Sequence, residues 1–597
     1  MTDIADRPDL ADYELEDRFR REDGRVFLSG VQALARLPVD QLRIDRRNGL
    51  RTAAYVSGYQ GSPVATFQEE ASAAAATVPD LPILVRPGLN EELAATAVMG
   101  SQLADSLDDK RYDGVVGVWY GKAPGLDRAG DAIRHGVFAG TARHGGVMAI
   151  VGDDPAAKSS TLPSSSDATL VDLHMPILFP GDVQEALDLS RHAVALSRAS
   201  GIWVGLKLVT PVADGTGTVD VHPDRVRPVT PTMDFDGKLF VPHPSGRLLT
   251  PYTLEMEREF QQVRSELARR YGVANQLNRV TVSSARDWIG IAASGHTYHE
   301  LREALGLLGL GGDDELRGAG IRLFQLLMPV PVDEQQIRDF AHGLAEVLVI
   351  EEKNPTLELL VKSAMYDSDE RPRVVGRHDE HGAPLVPGTG MLDADRLLEP
   401  LRRRLVARLG EEAVRPLPAK QAASRIPLTI NRTPFYCSGC PHNLSTRVPE
   451  GTLVGGGIGC HAMIALMEPE RVGDIAGLTA MGNEGAQWIG MAPFVERSHL
   501  VQNLGDGTYF HSGSLAIRAA VASGVDITYK LLYNGTVAMT GGQDPLGQMT
   551  VPEVVQSLLL EGVERVIVTS DDPGKWTTPT SGRSPATVAS TSATERD

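Results

Sequence analysis

Apolar runs of strand length alternate with amphipathic stretches of helix length between Arg51 and about Val209, and this alternation restricts the chain to few folds. TAAYVSGY is followed by ATFQEEASAAAA, GVVGVWYG by AGDAIRHGVFAG, then GVMAIVGDD, and DVQEALDLSRHAVALSRAS leads into IWVGLKLV. Strands separated by helix-length segments align in parallel, with the helices covering both faces of a doubly wound sheet. A second αβ block runs from Asp287 to about Leu409, with WIGIAASG, IRLFQLLMP and AEVLVIEE as strands. Between the two lie a stretch rich in Pro, Thr, Val and Asp, from Thr210 to Gly237, and a polar helix within Gly246 to Val280. RPLPAKQAASRIPL then leads into a third block at about Thr429. The expected class is α/β, with boundaries at 1–210, a linker and helical excursion over 211–285, then 286–420 and 421–575. The last segment, 576–597, contains too few apolar residues to pack and is expected to be a disordered tail.

Bulk properties exclude several functions. A chain of 597 residues has room for about three or four domains, each with its own core. A formal charge of −19 argues against non-specific nucleic-acid binding, which needs a basic face. No apolar run approaches the roughly 18 residues that span a bilayer, and the first residues are acidic, so no membrane partner is expected. The 3 cysteines all fall between Cys437 and Cys460. That excludes a disulfide scaffold, favours a cytoplasmic location and implies a local task.

The third block carries the densest chemistry. His499 to Leu504 reads as a strand, Ser512 to Ser523 as a helix ended by Gly524, and Ile527 to Tyr533 as a second strand. Gly505-Asp506-Gly507 follows the first strand and Asn534 the second, so both are expected at one rim, outside the carboxyl ends of the strands. A carboxylate, an amide oxygen and a nearby carbonyl form a hard-oxygen site suited to Mg²⁺, which completes its shell with water and phosphates. Cys437-Ser438-Gly439-Cys440 sets two thiols on one tight turn, and Cys460 can close on the same ion or cluster. Zinc, with His442 or His461 as fourth ligand, is the rival reading.

CSGCPHN, GIGCH, MGNEGAQW, NLGDGTYFHSG and YNGTVAMTGGQ, in that order, resemble the thiamine-binding half of the indolepyruvate ferredoxin oxidoreductases, within the 2-oxoacid:ferredoxin oxidoreductase family. The likeness extends back through YGKAPGLDRAGDAIRHG and GDDPAAKSSTLPSSSD and covers roughly Tyr13 to Lys575. It implies two thiamine-diphosphate-binding doubly wound domains flanking a transketolase C-terminal-like αβ domain. By that likeness Asp506, Asn534 and the Thr536 carbonyl hold magnesium. Gly505, Gly507, Gly482 and Glu484 join them around the cofactor.

The same resemblance makes Cys437, Cys440 and Cys460 ligands of a 4Fe-4S cluster, for which four thiolates are expected and this chain supplies three. Glu92, in Asn90-Glu91-Glu92-Leu-Ala-Ala, corresponds to the family glutamate that shares a proton with the aminopyrimidine ring. Ser62, in Tyr59-Gln60-Gly61-Ser62-Pro63, stands where the family hydrogen-bonds the 2-oxoacid, although helix capping explains Ser-Pro equally well. Lys122 and Arg128 are candidates for neutralising the substrate carboxylate, against an ordinary surface ion pair. The implied reaction is oxidative decarboxylation of a 2-oxoacid, an arylpyruvate such as indolepyruvate, with coenzyme A and ferredoxin as acceptors. A homodimer or partner subunit is expected. The alternatives are a non-oxidative thiamine-dependent decarboxylase or ligase, and a truncated remnant or subunit that needs a second chain.

Overall fold

The computed structural model describes residues 13–417, 435–570, 572 and the backbone of 586–590. It divides into two compact units, Met1–Ser424 and Arg425–Asp597. The expected boundary at 420/421 and most of the expected tail lie outside the described residues.

In the first unit, β1 (Gly24–Ser29) precedes a six-stranded sheet built from β2 (Thr52–Gly58), β3 (Ile83–Val85), β4 (Gly114–Lys122), β5 (Val147–Asp153), β6 (Ile177–Leu178) and β7 (Val204–Val209). The order is β3-β2-β4-β5-β7-β6, and all pairs are parallel. Every residue of β5 and of β7 is buried. Helices on both faces explain why these strands read as unbroken apolar runs. The chain leaves β2 for β3 on one side and returns to β4 on the other, so its winding reverses between β2 and β4. β8 (Thr216–Val221) pairs antiparallel with β1, and β9 (Asp234–Phe235) pairs with β10 (Lys238–Leu239). The polar helix expected after this segment runs from Tyr252 through Phe260–Arg264 to Ala274. Arg264 is buried and donates to the carbonyls of Val137, Phe138 and Gly201, which anchors the excursion to the first sheet.

The second sheet of this unit contains β11 (Asn278–Val282), β12 (Ile289–Ser294), β13 (Ile321–Leu326), β14 (Glu346–Ile350) and β15 (Arg373–Val375), in the order β11-β13-β12-β14-β15. Only β11 runs antiparallel to its neighbour. The two sheets are joined by backbone: Ile177 N donates to Val330 O at 2.7 Å and Phe179 N to Leu327 O at 2.9 Å. Gln325 Nε2 adds a bond to Glu185 Oε1 at 2.8 Å.

The second unit holds a four-stranded parallel sheet of β16 (Leu453–Gly455), β17 (Asp474–Gly477), β18 (Leu500–Gly505) and β19 (Ile527–Leu532), ordered β17-β16-β18-β19. Its winding reverses between β16 and β18. β20 (Val566–Ser570) pairs in parallel with β21 (Ala586–Ser590). This corrects the expected tail over those five residues. Strand pairing uses backbone groups, so a segment too small to build a core can still add to an edge. Among the described residues no helix is long and apolar enough to cross a membrane.

Candidate functional site

Ligands of open parallel sheets sit outside the carboxyl ends of the strands, where the winding reverses. In the second unit that place is bounded by the loop after β16 and by Gly505-Asp506-Gly507 after β18. Asp506 is buried there. Its Oδ2 accepts from Asn534 N at 3.0 Å and Gly535 N at 2.6 Å, and its Oδ1 accepts from Gly507 N at 2.9 Å. Asn534 Oδ1 accepts in turn from Thr536 N at 3.0 Å. The turn after β19 is thus wrapped around the carboxylate after β18. Burial pushes the Asp506 carboxyl up, and the backbone N–H groups of Gly535, Asn534 and Gly507 pull it back. A carboxylate, an amide oxygen and the Thr536 carbonyl here match the donor chemistry of a magnesium diphosphate.

Gly482 and Glu484, expected at the cofactor, have a different immediate task. Glu484 is fully buried, with Oε1 accepting from Ile458 N at 3.1 Å and Oε2 from Gly482 N at 2.7 Å. One carboxylate therefore clamps the loop after β16 to the loop after β17. Burial raises its pKa, opposed by these N–H groups and by His511. Gly482 has φ +89°, and a side chain there would overlap Ser512 Oγ.

The thiols gather beside this crevice. Cys440 N donates to Cys437 O at 3.0 Å, closing the tight turn, and Asn443 Nδ2 donates to both of those carbonyls. Cys440 Sγ lies 3.3 Å from His442 Nδ1. All three cysteines are free, and the Cys460 thiol is pushed up by burial and by the nearby charges of Cys440 and Cys437. Among the described residues no three His, Cys, Asp or Glu side chains are arranged to hold a metal ion. His442 stacks on His461, with ring centroids 5.9 Å apart. His461 is 2% exposed, and burial together with His442 pushes its imidazole down to about 4.

The first unit offers a second rim, at the reversal between β2 and β4. Asn90 caps the helix Glu91–Leu103 by accepting from Leu93 N at 3.0 Å. This cap sets the helical phase, so Glu91, Ala94, Ala95 and Val98 face inward. Glu92, expected at the aminopyrimidine ring, is 45% exposed in its side chain and lies 3.9 Å from Arg128 Nη2. Its neighbour Glu91 is the interior glutamate, 7% exposed, with its backbone oxygen accepting from Trp119 Nε1 at 3.0 Å. Lys122, at the end of β4, packs along Gly61, and a methyl group at Gly61 would lie 2.9 Å from its Cδ. Burial lowers its pKa, while Glu91 and Asp154 pull it back up. The loop bearing Ser62, Lys122 and Glu91 thus meet at this rim, whereas Arg128 is turned toward Glu92. The sequence offers His461 only as a rival zinc ligand, and it does not single out Glu91. For Glu91 the inward phase of Ala94, Ala95 and Val98 is the signal that could have found it.

Comparison with known proteins agrees with this geometry. A family model described as the indolepyruvate oxidoreductase domain matches residues 279–424. One described as the thiamine pyrophosphate enzyme C-terminal TPP-binding domain matches residues 457–558. The chain is 25% identical over 580 residues to indolepyruvate oxidoreductase subunit IorA of Methanothermobacter thermautotrophicus, covering 93% of this chain and 84% of that one. It is also 25% identical over 556 residues to the IorA subunit of Thermococcus kodakarensis, covering 88% and 77%. A solved 2-oxoglutarate:ferredoxin oxidoreductase from Magnetococcus marinus aligns with 64% of this chain and 66% of its own, at 14% identity and a TM-score of 0.47. The class is therefore an oxidoreductase built around a thiamine diphosphate domain. Over most of its length the chain is similar to IorA subunits of indolepyruvate oxidoreductases, and two of its segments match the corresponding domain models.

Proposed function

We propose that this chain carries out the thiamine diphosphate-dependent oxidative decarboxylation of a 2-oxoacid, an arylpyruvate such as indolepyruvate, with ferredoxin taking the electrons and coenzyme A the acyl group. The carrying observation is the wrapping of Asn534, Gly535 and Thr536 around Asp506 inside the segment that matches a TPP-binding domain. In this reading Asp506, Asn534 Oδ1 and the Thr536 carbonyl hold magnesium on the diphosphate, and Glu484 fixes the loops that frame it. When bound, thiamine diphosphate would supply a carbon nucleophile and an electron sink for decarboxylation. Glu91 would present its carboxyl to the aminopyrimidine ring and hold the proton shared with it. Lys122 neutralises the substrate carboxylate. Ser62 orients the 2-oxoacid at its ketone. Cys437, Cys440 and Cys460 are the residues that would ligate an iron-sulfur cluster, which would supply one-electron acceptance.

The test is anaerobic reconstitution of the protein, with any polypeptide that co-purifies, in iron, sulfide, magnesium and thiamine diphosphate, followed by indolepyruvate turnover. The expected outcome is a brown protein that releases CO₂ and reduces ferredoxin only when both cofactors are present. A colourless, metal-free protein that releases CO₂ without reducing ferredoxin would exclude the oxidative reaction.

A further inference from the structure

His461 is a polar side chain buried at the crevice that none of the described residues satisfies. Among the described residues neither ring nitrogen has a hydrogen-bond partner. Buried imidazoles are ordinarily hydrogen-bonded, so such a group calls for a missing partner. Its surroundings are walls of backbone. A methyl group on Gly457 would lie 2.6 Å from Cε1, one on Gly459 2.9 Å from Nε2, and one on Gly505 3.2 Å from Nε2. Glycine at all three positions lets the ring occupy this place. Gly457 and Gly459 belong to the loop after β16, and Gly505 opens the Gly505-Asp506-Gly507 turn after β18. The Nε2 edge therefore lies against Gly459 and against Gly505, which directly precedes Asp506 in the turn where the sheet reverses. On one face of the ring lies His442, stacked at an interplanar angle of 6°. That stack and the glycine walls leave the ring little freedom to turn its edge elsewhere.

We propose that His461 is a ligand of the cofactor's diphosphate, donating an Nε2–H hydrogen bond to a phosphoryl oxygen, a role that rests on the thiamine reading above. A neutral imidazole with its proton on Nε2 presents a donor to the crevice, and an anionic oxygen is the strongest acceptor for it. The glycines that make room for the ring also leave the turn before Asp506 without side chains, so a compact anion can approach beside the ring. His461 is a binding residue in this assignment and takes no part in proton transfer.

The full chain is titrated by calorimetry with magnesium thiamine diphosphate and, separately, with magnesium pyrophosphate. The variants are His461→Phe, which fills the space without a donor, and His461→Gln, which keeps one, with Asp506→Ala as control. Both probes are expected to bind His461→Phe at least about tenfold more weakly, the scale of one lost hydrogen bond to a charged group. His461→Gln recovers part of the loss. The ³¹P resonances of the bound diphosphate are expected to shift in both variants. Should His461→Phe not fold, judged by its far-UV circular dichroism, His461→Asn takes its place, because its donor is too short to reach. Equal affinity in wild type and the donor-free variant, with Asp506→Ala impaired, overturns the assignment and leaves the thiamine reading standing. Wild-type protein that binds neither probe overturns both.

Discussion

Glu91 and Gly125 approach so closely that a methyl group at position 125 would lie 2.8 Å from Glu91 Oε1. The helix bearing Glu91 and the turn after β4 are therefore fitted around a carboxyl rather than around an apolar side chain. Gly125→Ala is expected to displace it.

Glu91→Gln preserves this shape and removes the acid. Turnover of 2-oxoacid is expected to fall by about a hundredfold or more, since a positioned acid or base contributes about 10²- to 10⁴-fold. Glu92→Gln removes only a half-exposed partner of Arg128, and such pairs are worth about 0–1 kcal/mol, so turnover is expected to change by less than about threefold. Steady-state kinetics of the two variants side by side checks this, and equal losses would return the role to Glu92.

How far the sequence revealed this arrangement depends on how local each signal is. β5 and β7 were readable because strands buried on both faces appear as continuous apolar runs. Asp506 and Asn534 were readable because each directly follows its own strand, so one parallel register brings them together. Glu91 and Glu92 are harder to separate: the Ala pair of the resemblance points to Glu92, whereas the inward phase of Ala94, Ala95 and Val98 places Glu91 in the interior. His461 is a harder case. Its lack of partners depends on three glycines from two separate loops, and no run of neighbouring residues contains that fact. The pairing of Ala586–Ser590 with β20 was equally illegible, since a sheet edge recruits backbone, which composition does not record.

Asp506→Asn retains the size of the side chain but loses its charge and one of its two acceptor oxygens, while three backbone N–H groups still point at it. Magnesium thiamine diphosphate is expected to bind at least about tenfold more weakly, because charge-assisted hydrogen bonds are roughly twice as strong as neutral ones. Calorimetric titration at several magnesium concentrations checks this, and undiminished affinity would remove Asp506 from the metal site.

Glu351 gives the first unit a pH dependence. Its oxygens accept from Leu357 N at 2.7 Å and Glu358 N at 2.9 Å, yet burial, aided by Asp167, pushes its carboxyl up to about 7. The folded-state value lies above the unfolded one, so its stabilising contribution is complete below about pH 4 and is lost as pH rises through about 7. Denaturant unfolding is expected to show about 3 kcal/mol less stability at pH 8 than at pH 4.5 from this group alone, at 1.36 kcal/mol per pKa unit. Glu351→Gln should flatten that slope. A slope unchanged by the substitution would assign the dependence to other carboxyls.

Buried Asp45 and half-buried Arg198 form a paired contact in the first unit, with both Nη atoms donating to the carboxylate at 2.7 Å. Thr52 Oγ1 and Gln41 Nε2 also donate to Asp45, both at 2.8 Å. Asp45→Ala leaves the guanidinium only the carbonyls of Gly145 and His144 and is expected to cost about 1.5–3 kcal/mol, the scale of lost hydrogen bonds to a charged group. Urea unfolding monitored by circular dichroism measures it, and a loss below about 1 kcal/mol would mean that Arg198 reaches water.

Because the Glu484 carboxylate grips Ile458 on one side and Gly482 on the other, the two walls of the crevice are already tied before any vitamin arrives. Loading should then resemble a key entering a finished lock. The empty and filled second unit should superimpose across both loops, and slow release would reflect the fit of the ligand rather than the closing of a flap.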